Sequence, residues 1–181
     1  MTPSSNARTF IKREETGGKA PALRAYPDGK VNGVQVYSIG YGTQFYEDGT
    51  RVKSGDVITS EKAESMFNAA VNDAGAAVSR NIKVSLNQNQ FDALTSFSYN
   101  IGSGRFAASQ VVKNVNAQAS NATLGGIWKS SFVTFEGKFL QGLADRRTRE
   151  FALYSTQTGI VANTNLWLIG ILGFALYRRS Q

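Results

Sequence analysis

The sequence predicts an α+β fold, in which a small antiparallel sheet and a larger helical part are joined by one long helix. Three observations support this prediction. Residues 24–58 combine turn dipeptides with a β-branched strand pattern. Residues 60–80 carry an unbroken helical repeat of small apolar residues, and shorter helical patterns follow as far as residue 154. Strands and helices that occupy separate stretches of a chain are typical of the α+β class.

The first element is a short N-terminal helix that runs to about Glu15. Ser4, Ser5 and Asn6 are all residue types that cap a helix N-terminus, so the helix begins near one of them. Gly17 and Gly18 follow, and glycine accepts the left-handed conformation in which many helices end.

A small sheet follows the first helix. Asp28-Gly29, Asn32-Gly33 and Asp48-Gly49 are turn dipeptides. Between the second and third of them, residues 34–39 (Val-Gln-Val-Tyr-Ser-Ile) show the partly alternating pattern of a strand. We expect three short antiparallel strands in this region.

The long helix begins at Thr59-Ser60 and ends near Arg80. Its apolar residues recur at spacings of three and four, and most of them are small, which suits close packing against a neighbour. A helix of this length extends roughly 30 Å, which is long enough to connect two lobes.

The remainder of the chain is predicted to be helical. Phe91, Leu94 and Phe97 step by three along a core-facing helix. A short helix is expected from Ser109 to Val115, a break at Gly125-Gly126, and a last helix from about Leu140 to Tyr154.

The composition limits the possible chemistry. The 181 residues include neither cysteine nor histidine, which excludes thiol nucleophiles and Ser-His-Asp triads. Acid–base catalysis would therefore fall to Asp and Glu, and we expect no cofactor and no metal site. The net charge of +7 suits an anionic partner such as a bacterial cell wall, although it is equally consistent with a role in solubility alone. Because the basic residues are spread along the chain, we expect no nucleic-acid partner.

A hydrophobic tail ends the chain. Residues 166–177 are uninterrupted apolar sequence, followed by Arg178-Arg179. We divide the chain into a domain of residues 1–157 and a tail of residues 158–181, and we expect the tail to anchor the protein in a lipid membrane. The alternative is a helix that docks on the domain or on a virion protein. Removal of residues 160–181 is expected to leave a soluble, active domain.

The candidate chemistry lies near the N-terminus, where Glu15, Asp28 and Ser38 follow one another within a short segment. Hydrolysis of a glycosidic bond requires a carboxylic acid that protonates the leaving oxygen and a carboxylate that activates or positions water. A hydroxyl group can help to hold that water. Such triples are common in soluble proteins, so this spacing alone is a weak signal.

Motifs along residues 9–154 make the signal specific, because they resemble phage-type lysozymes (glycoside hydrolase family 24) in the right order. They are Phe10-Ile11-Lys12-Arg13-Glu14-Glu15, Ala25-Tyr26-Pro27-Asp28, Tyr37-Ser38-Ile39-Gly40-Tyr41-Gly42, Leu86 to Leu94, Phe97 to Gly102, and Gly142-Leu143-Ala144-Asp145-Arg146-Arg147 with Glu150. The resemblance implies a lysozyme-like, two-lobed fold that hydrolyses the β-1,4 bond between N-acetylmuramic acid and N-acetylglucosamine in peptidoglycan. It also implies activity in the host cell envelope or periplasm, while the tail would allow attachment to a membrane or virion.

By position, the resemblance implies that Glu15 is the general acid, that Asp28 is the second carboxylate and that Ser38 holds the water. It implies that Arg146 pairs with Glu15, whereas the alternative for Arg146-Arg147 is a basic helix that faces solvent. The family reaction inverts the anomeric centre, which requires carboxyl groups roughly 6.5–9.5 Å apart. Glu14 competes with Glu15, but the four-residue step from Ile11 selects Glu15, and Glu14 would then be a solvated charge at the helix end.

Three features depart from the family pattern. Thr16 follows the acid where the family has glycine, and Thr43 stands in place of a histidine. The loops on both sides of Asp28 are longer than usual, so we expect them to fold outward. These departures motivate an alternative function, that of a catalytically weak wall-binding or structural virion protein with a lysozyme fold.

Overall fold

The computed structural model describes residues 1–156. Seven helices and four strands lie within these residues, in the order α1 (Ser5–Thr16), β1 (Ala22–Val31), β2 (Val34–Gly40), α2 (Ser60–Asn81), α3 (Gln88–Ile101), α4 (Ser103–Ala108), α5 (Gln110–Asn116), α6 (Asn121–Ser130), β3 (Thr134–Phe135), β4 (Lys138–Phe139) and α7 (Gln141–Ser155). The mixture of helices and small antiparallel sheets confirms the predicted α+β class.

Helix α1 is fixed at both ends by short-range contacts. The Ser4 hydroxyl caps its N-terminus by accepting a hydrogen bond from the Ala7 amide at 3.1 Å. Gly17 ends the helix in the left-handed conformation (φ 62°). Thr16, the departure from the family pattern, is its last residue, and its hydroxyl bonds the Lys12 carbonyl at 3.0 Å. The helix therefore accommodates threonine at this position.

The sheet has two strands, so the prediction of three is wrong. Strands β1 and β2 pair across the Asn32-Gly33 turn. Between β2 and α2, residues 41–59 form only isolated bridges, which include Phe45 with Arg51. Its backbone groups bond one another around a tight turn instead, as the Tyr46 amide does with the Thr50 carbonyl at 2.8 Å. The lengthened segments on the two sides of Asp28 are not loops, since most of this sequence forms β1 and the β1–β2 hairpin. Residues 27–34 are exposed, which agrees with the expectation that these segments fold outward.

Helix α2 connects the two lobes, as its length predicted. Met66 packs with Ile39 and Val52 beneath the sheet. Phe67 packs against Ile11 of α1 at the junction of the lobes. The C-terminal half of α2 enters the core of the helical lobe, which consists of Ala77, Val78, Ile82, Phe91, Ala93, Leu94, Phe97, Ile101, Phe106, Val111, Val112, Val115, Leu124, Trp128 and Tyr154.

The helical lobe differs from its prediction in two places. The predicted break at Gly125-Gly126 is wrong, because α6 runs through both glycines. Residues 134–139, for which no strand was predicted, form a hairpin whose tip is Glu136-Gly137. Phe135 of this hairpin lies close to Gly29 of β1, where an added Cβ atom would be 3.7 Å from the ring. The helical lobe therefore touches the sheet lobe one residue after Asp28.

The tail predicted from residue 158 onward lies outside the described residues. Among residues 1–156, no helix combines the length and the apolar character that a bilayer span requires.

Candidate active site

Glu15 lies near the C-terminal end of α1, against the last helix. Arg146 of α7 donates a hydrogen bond from Nη1 to Glu15 Oε1 at 2.7 Å. Gly42, which follows β2, lies on the other side of the carboxyl group, and a Cβ atom there would come within 3.2 Å of Glu15 Oε2. Since 17% of the Glu15 side chain stays exposed, the acid is shielded but still reachable from solvent.

Burial raises the pKa of Glu15 above the ordinary value of a glutamic acid. Arg146 opposes this shift, both by its charge and by its hydrogen bond, but burial is the larger effect. Glu150 and Glu14 add smaller increases through their negative charges. The carboxyl group therefore stays protonated to a higher pH than a solvated glutamic acid would.

Asp28 lies in an irregular part of β1. The register shifts between Pro27 and Lys30, so β1 carries an extra residue there relative to β2. Such bulges redirect side chains and often occur beside active sites. The Ser38 hydroxyl of β2, which is fully buried, donates to Asp28 Oδ2 at 2.5 Å. The Gln44 amide donates to the same oxygen at 3.2 Å. Asp28 is therefore held in place through one of its two carboxylate oxygens.

Two tyrosines lie within electrostatic range of Glu15. The negative charges of Asp28 and Glu15 add to the effect of burial in raising the pKa of Tyr26. Burial and the charge of Glu15 raise the pKa of Tyr99, whose hydroxyl donates to the Tyr41 carbonyl at 3.0 Å. Gly42 lies against Glu15, and Gln44, two residues further along the chain, bonds Asp28, so Glu15 and Asp28 border the same region of the protein.

Glu14 has a different environment from Glu15. Arg149 of α7 binds both of its carboxylate oxygens, at 2.7 and 2.8 Å. The interpretation of Glu14 as a solvated charge at the helix end is therefore wrong, because only 5% of its side chain is exposed. Glu14 therefore faces Arg149 with both of its carboxylate oxygens already bonded, and it takes no part in the contact between Glu15 and Arg146.

The idea that Arg146-Arg147 form a basic face toward solvent is also wrong. Both side chains are buried, together with Glu150 one helical turn further along α7. Glu150 Oε1 accepts from Arg146 Nε at 3.1 Å, and Arg147 bonds Glu150 Oε2. The last helix thus carries a buried ion-pair cluster behind Glu15.

Comparison with known proteins places the chain in a family. The family model described as phage lysozyme matches residues 19–150. The chain is 36% identical to the endolysin of Salmonella phage P22 over 156 residues, which cover 85% of this chain and 98% of that protein. The chain belongs to the phage lysozyme family.

Solved structures agree with membership of the phage lysozyme family. The endolysin from Escherichia coli O157:H7 phage FAHEc1 superposes with a TM-score of 0.73 at 35% identity, covering 88% of this chain and 97% of that one. The muramidase domain of SpmX from Asticaccaulis excentricus gives a TM-score of 0.68 at 27% identity, covering 85% and 97%. The lysozyme-like fold predicted from the sequence is thereby confirmed.

In this phage lysozyme, the four residues singled out from the sequence fall into two contacts. Glu15 meets Arg146, and Asp28 meets Ser38. Sequence reasoning overlooked Gln44 and gave no role to Tyr26 or Glu150. Glu150 carried a usable signal, because its four-residue spacing from Arg146 allows an ion pair on one helix face. Gln44 had no such signal, since its contact depends on the path of the loop after β2.

Proposed function

We propose that this phage lysozyme is a muramidase, which hydrolyses the β-1,4 bond between N-acetylmuramic acid and N-acetylglucosamine in bacterial peptidoglycan. The observation that carries the proposal is the contrast between two carboxyl groups that border one region. Glu15 is shielded and has a raised pKa, whereas Asp28 is fixed by hydrogen bonds to one of its oxygens. Two carboxyl groups in different environments can divide the acid and base roles of glycoside hydrolysis.

Glu15 is the proposed general acid. Its raised pKa keeps a larger fraction protonated near neutral pH, so it can donate a proton to the leaving glycosidic oxygen. Activity that depends on protonated Glu15 is lost as the pH rises through this pKa. Arg146 supports the deprotonated state that forms after the transfer, because it already bonds the Glu15 carboxyl group.

Asp28 is the proposed second carboxylate, which positions the attacking water and stabilises positive charge on the sugar. Its Oδ2 atom already accepts hydrogen bonds from Ser38 and Gln44, so Oδ1 is the atom we assign to the water. Ser38 is buried, and we therefore give it an indirect role: it positions Asp28 and does not contact the water itself.

The reaction products test this proposal. Purified full-length protein should release new N-acetylmuramic acid reducing ends from purified peptidoglycan. If the mechanism is inverting, as we propose, proton NMR should show the α-anomer first, before mutarotation mixes the anomers. Binding to peptidoglycan without new reducing ends would instead indicate a wall-binding protein. Release of the β-anomer first would preserve the muramidase proposal but exclude inversion.

We further propose that residues 158–181 tether the lysozyme domain to a membrane, on the basis of their apolar sequence and the two terminal arginines. Full-length protein should sediment with lipid vesicles, whereas a variant that lacks residues 160–181 should stay in the supernatant and hydrolyse peptidoglycan at an undiminished rate. If the full-length protein does not sediment and the shortened variant aggregates, the tail packs against the domain instead.

A further inference from the structure

Glu150 is a fully buried acidic residue that the proposed reaction does not use. It lies on α7, one turn after Arg146. A buried charge of this kind is costly unless every partner is in place. Its position behind the Glu15–Arg146 contact suggests that its contacts serve the acid.

The side chain of Arg146 is divided between two carboxylates. Its Nε atom donates to Glu150 Oε1 at 3.1 Å, and Nη1 donates to Glu15 Oε1 at 2.7 Å. Within residues 1–156, no hydrogen-bond partner lies near Nη2. Arginine binds a carboxylate most strongly with two parallel hydrogen bonds. Glu15 receives only one, from Nη1, while the bond from Nε to Glu150 holds the guanidinium group in this orientation.

Glu150 is itself held firmly, so it can fix Arg146. Ser96 of α3 donates to Glu150 Oε1 at 2.8 Å, and the Trp128 indole of α6 donates to Oε2 at 3.3 Å. Arg147 bonds Oε2 as well, and its guanidinium lies 4.8 Å from the centre of the Phe97 ring. Donors on three helices thus fix the position of this carboxylate.

We propose that Glu150 is a positioning residue for the catalytic acid: it anchors Arg146 and restricts its contact with Glu15 to a single hydrogen bond. A single hydrogen bond from Arg146 stabilises the ionised form of Glu15 less than two would, so the carboxyl group can still be protonated. This inference rests on the proposed role of Glu15 as the general acid, and it adds a residue on α7 whose effect reaches Glu15 through Arg146.

The charges around Glu15 indicate the direction of the effect. Arg146 and Glu150 act from α7, and Glu14, which is paired with Arg149, acts from α1 itself. Tyr99 on α3 and Tyr26 on β1 are uncharged groups within electrostatic range of Glu15. Of these three charges, Arg146 lowers the pKa of Glu15, while Glu150 and Glu14 raise it. Removing the charge of Glu150 therefore lowers that pKa, since Arg146 becomes free to interact more fully with Glu15.

The decisive experiment compares the Glu150→Gln variant with the wild type as full-length proteins. NMR titration of the Glu15 carboxyl carbon measures its pKa without any substrate. We expect the titration midpoint to fall by on the order of one pH unit. The loss of kcat/KM at high pH should move to lower pH by a similar amount, because kcat/KM reports ionisation of the free enzyme. An unchanged or higher midpoint would overturn the inference.

The Glu14→Gln variant is the matched control, because it removes a carboxylate near Glu15 that does not contact Arg146. We expect a smaller shift of the Glu15 midpoint, and a shift as large as that of Glu150→Gln would contradict a role through Arg146. If Glu150→Gln does not fold, the Arg147→Gln/Glu150→Gln variant, which removes a buried pair of opposite charges, should show the same downward shift. The titration also separates the two claims: a shift in a protein that fails to cleave peptidoglycan supports this inference and contradicts the proposed function.

Discussion

The Glu15→Gln variant is expected to lose peptidoglycan hydrolysis by about 10²–10⁴-fold while it keeps its fold. Glutamine has nearly the same shape, and its carbonyl oxygen can still accept the hydrogen bond from Arg146 Nη1. It has no acidic proton to give to the leaving sugar. Arg146 also retains its contact with Glu150, so no buried charge is left unpaired. Release of reducing ends measures the activity, and circular dichroism with thermal unfolding checks the fold.

The Glu14→Gln variant distinguishes Glu15 from its neighbour. Glu14 faces Arg149 and not Arg146, so its loss should leave activity within a few-fold of the wild type, with a modest loss of stability. If Glu15→Gln stays active and Glu14→Gln does not, the general acid is Glu14.

The Gly125→Ala substitution is expected to destabilise the lysozyme domain by about 1–3 kcal/mol. A Cβ atom at this position would lie 2.7 Å from the Phe151 ring of α7, well inside van der Waals contact. The ring is confined on other sides, because it stacks on Tyr154 at 6.1 Å and packs against Trp128 at 6.1 Å. Relieving the overlap therefore requires either the ring or α6 to move. Denaturant unfolding measures the change in free energy.

Gly126 provides the control for this substitution on the same helix. Nothing lies within 4 Å of a Cβ atom added there, so Gly126→Ala meets no obstacle. We expect it to stabilise the domain by about 0.5–1 kcal/mol, since alanine restricts the unfolded chain and favours the helix. Equal effects of the two substitutions would show that close packing between α6 and α7 does not explain Gly125.

The same two glycines show where prediction from sequence failed. Helices α1 and α2 were predicted well, because capping residues and apolar periodicity are local signals. The pair Gly125-Gly126 also gave a local signal, that of a break, but packing against α7 overrides it and keeps α6 continuous. The missing third strand has a similar cause, since residues 44–52 bond one another around a turn and residues 56–58 meet β1 only over a short stretch near Arg24.

The candidate site could be predicted only in part, because some of its contacts depend on how distant helices pack. Resemblance of ordered motifs indicated Glu15, Asp28, Ser38 and Arg146, and the structure groups them into two contacts. The resemblance could not indicate that Arg146 bonds both Glu15 and Glu150. That arrangement depends on the burial of Arg147 and Glu150 between α3, α6 and α7, and burial of charged residues runs against the usual expectation from composition.

The first and last helices meet through the start of α3, and this affects the order of folding. Consecutive residues hold the two ends of the described chain: Gln88 bonds the Thr2 carbonyl at 3.1 Å, and Asn89 bonds the Thr156 carbonyl at 3.2 Å. The contact between Glu15 and Arg146 closes a loop of 131 residues, which is among the slowest kinds of contact to form. A nascent chain that has not yet extended to α7 lacks Arg146, the hydrogen-bond partner of Glu15. The contact between Glu15 and Arg146 therefore forms only after α7 has been synthesised and has docked, which makes it a late step of folding.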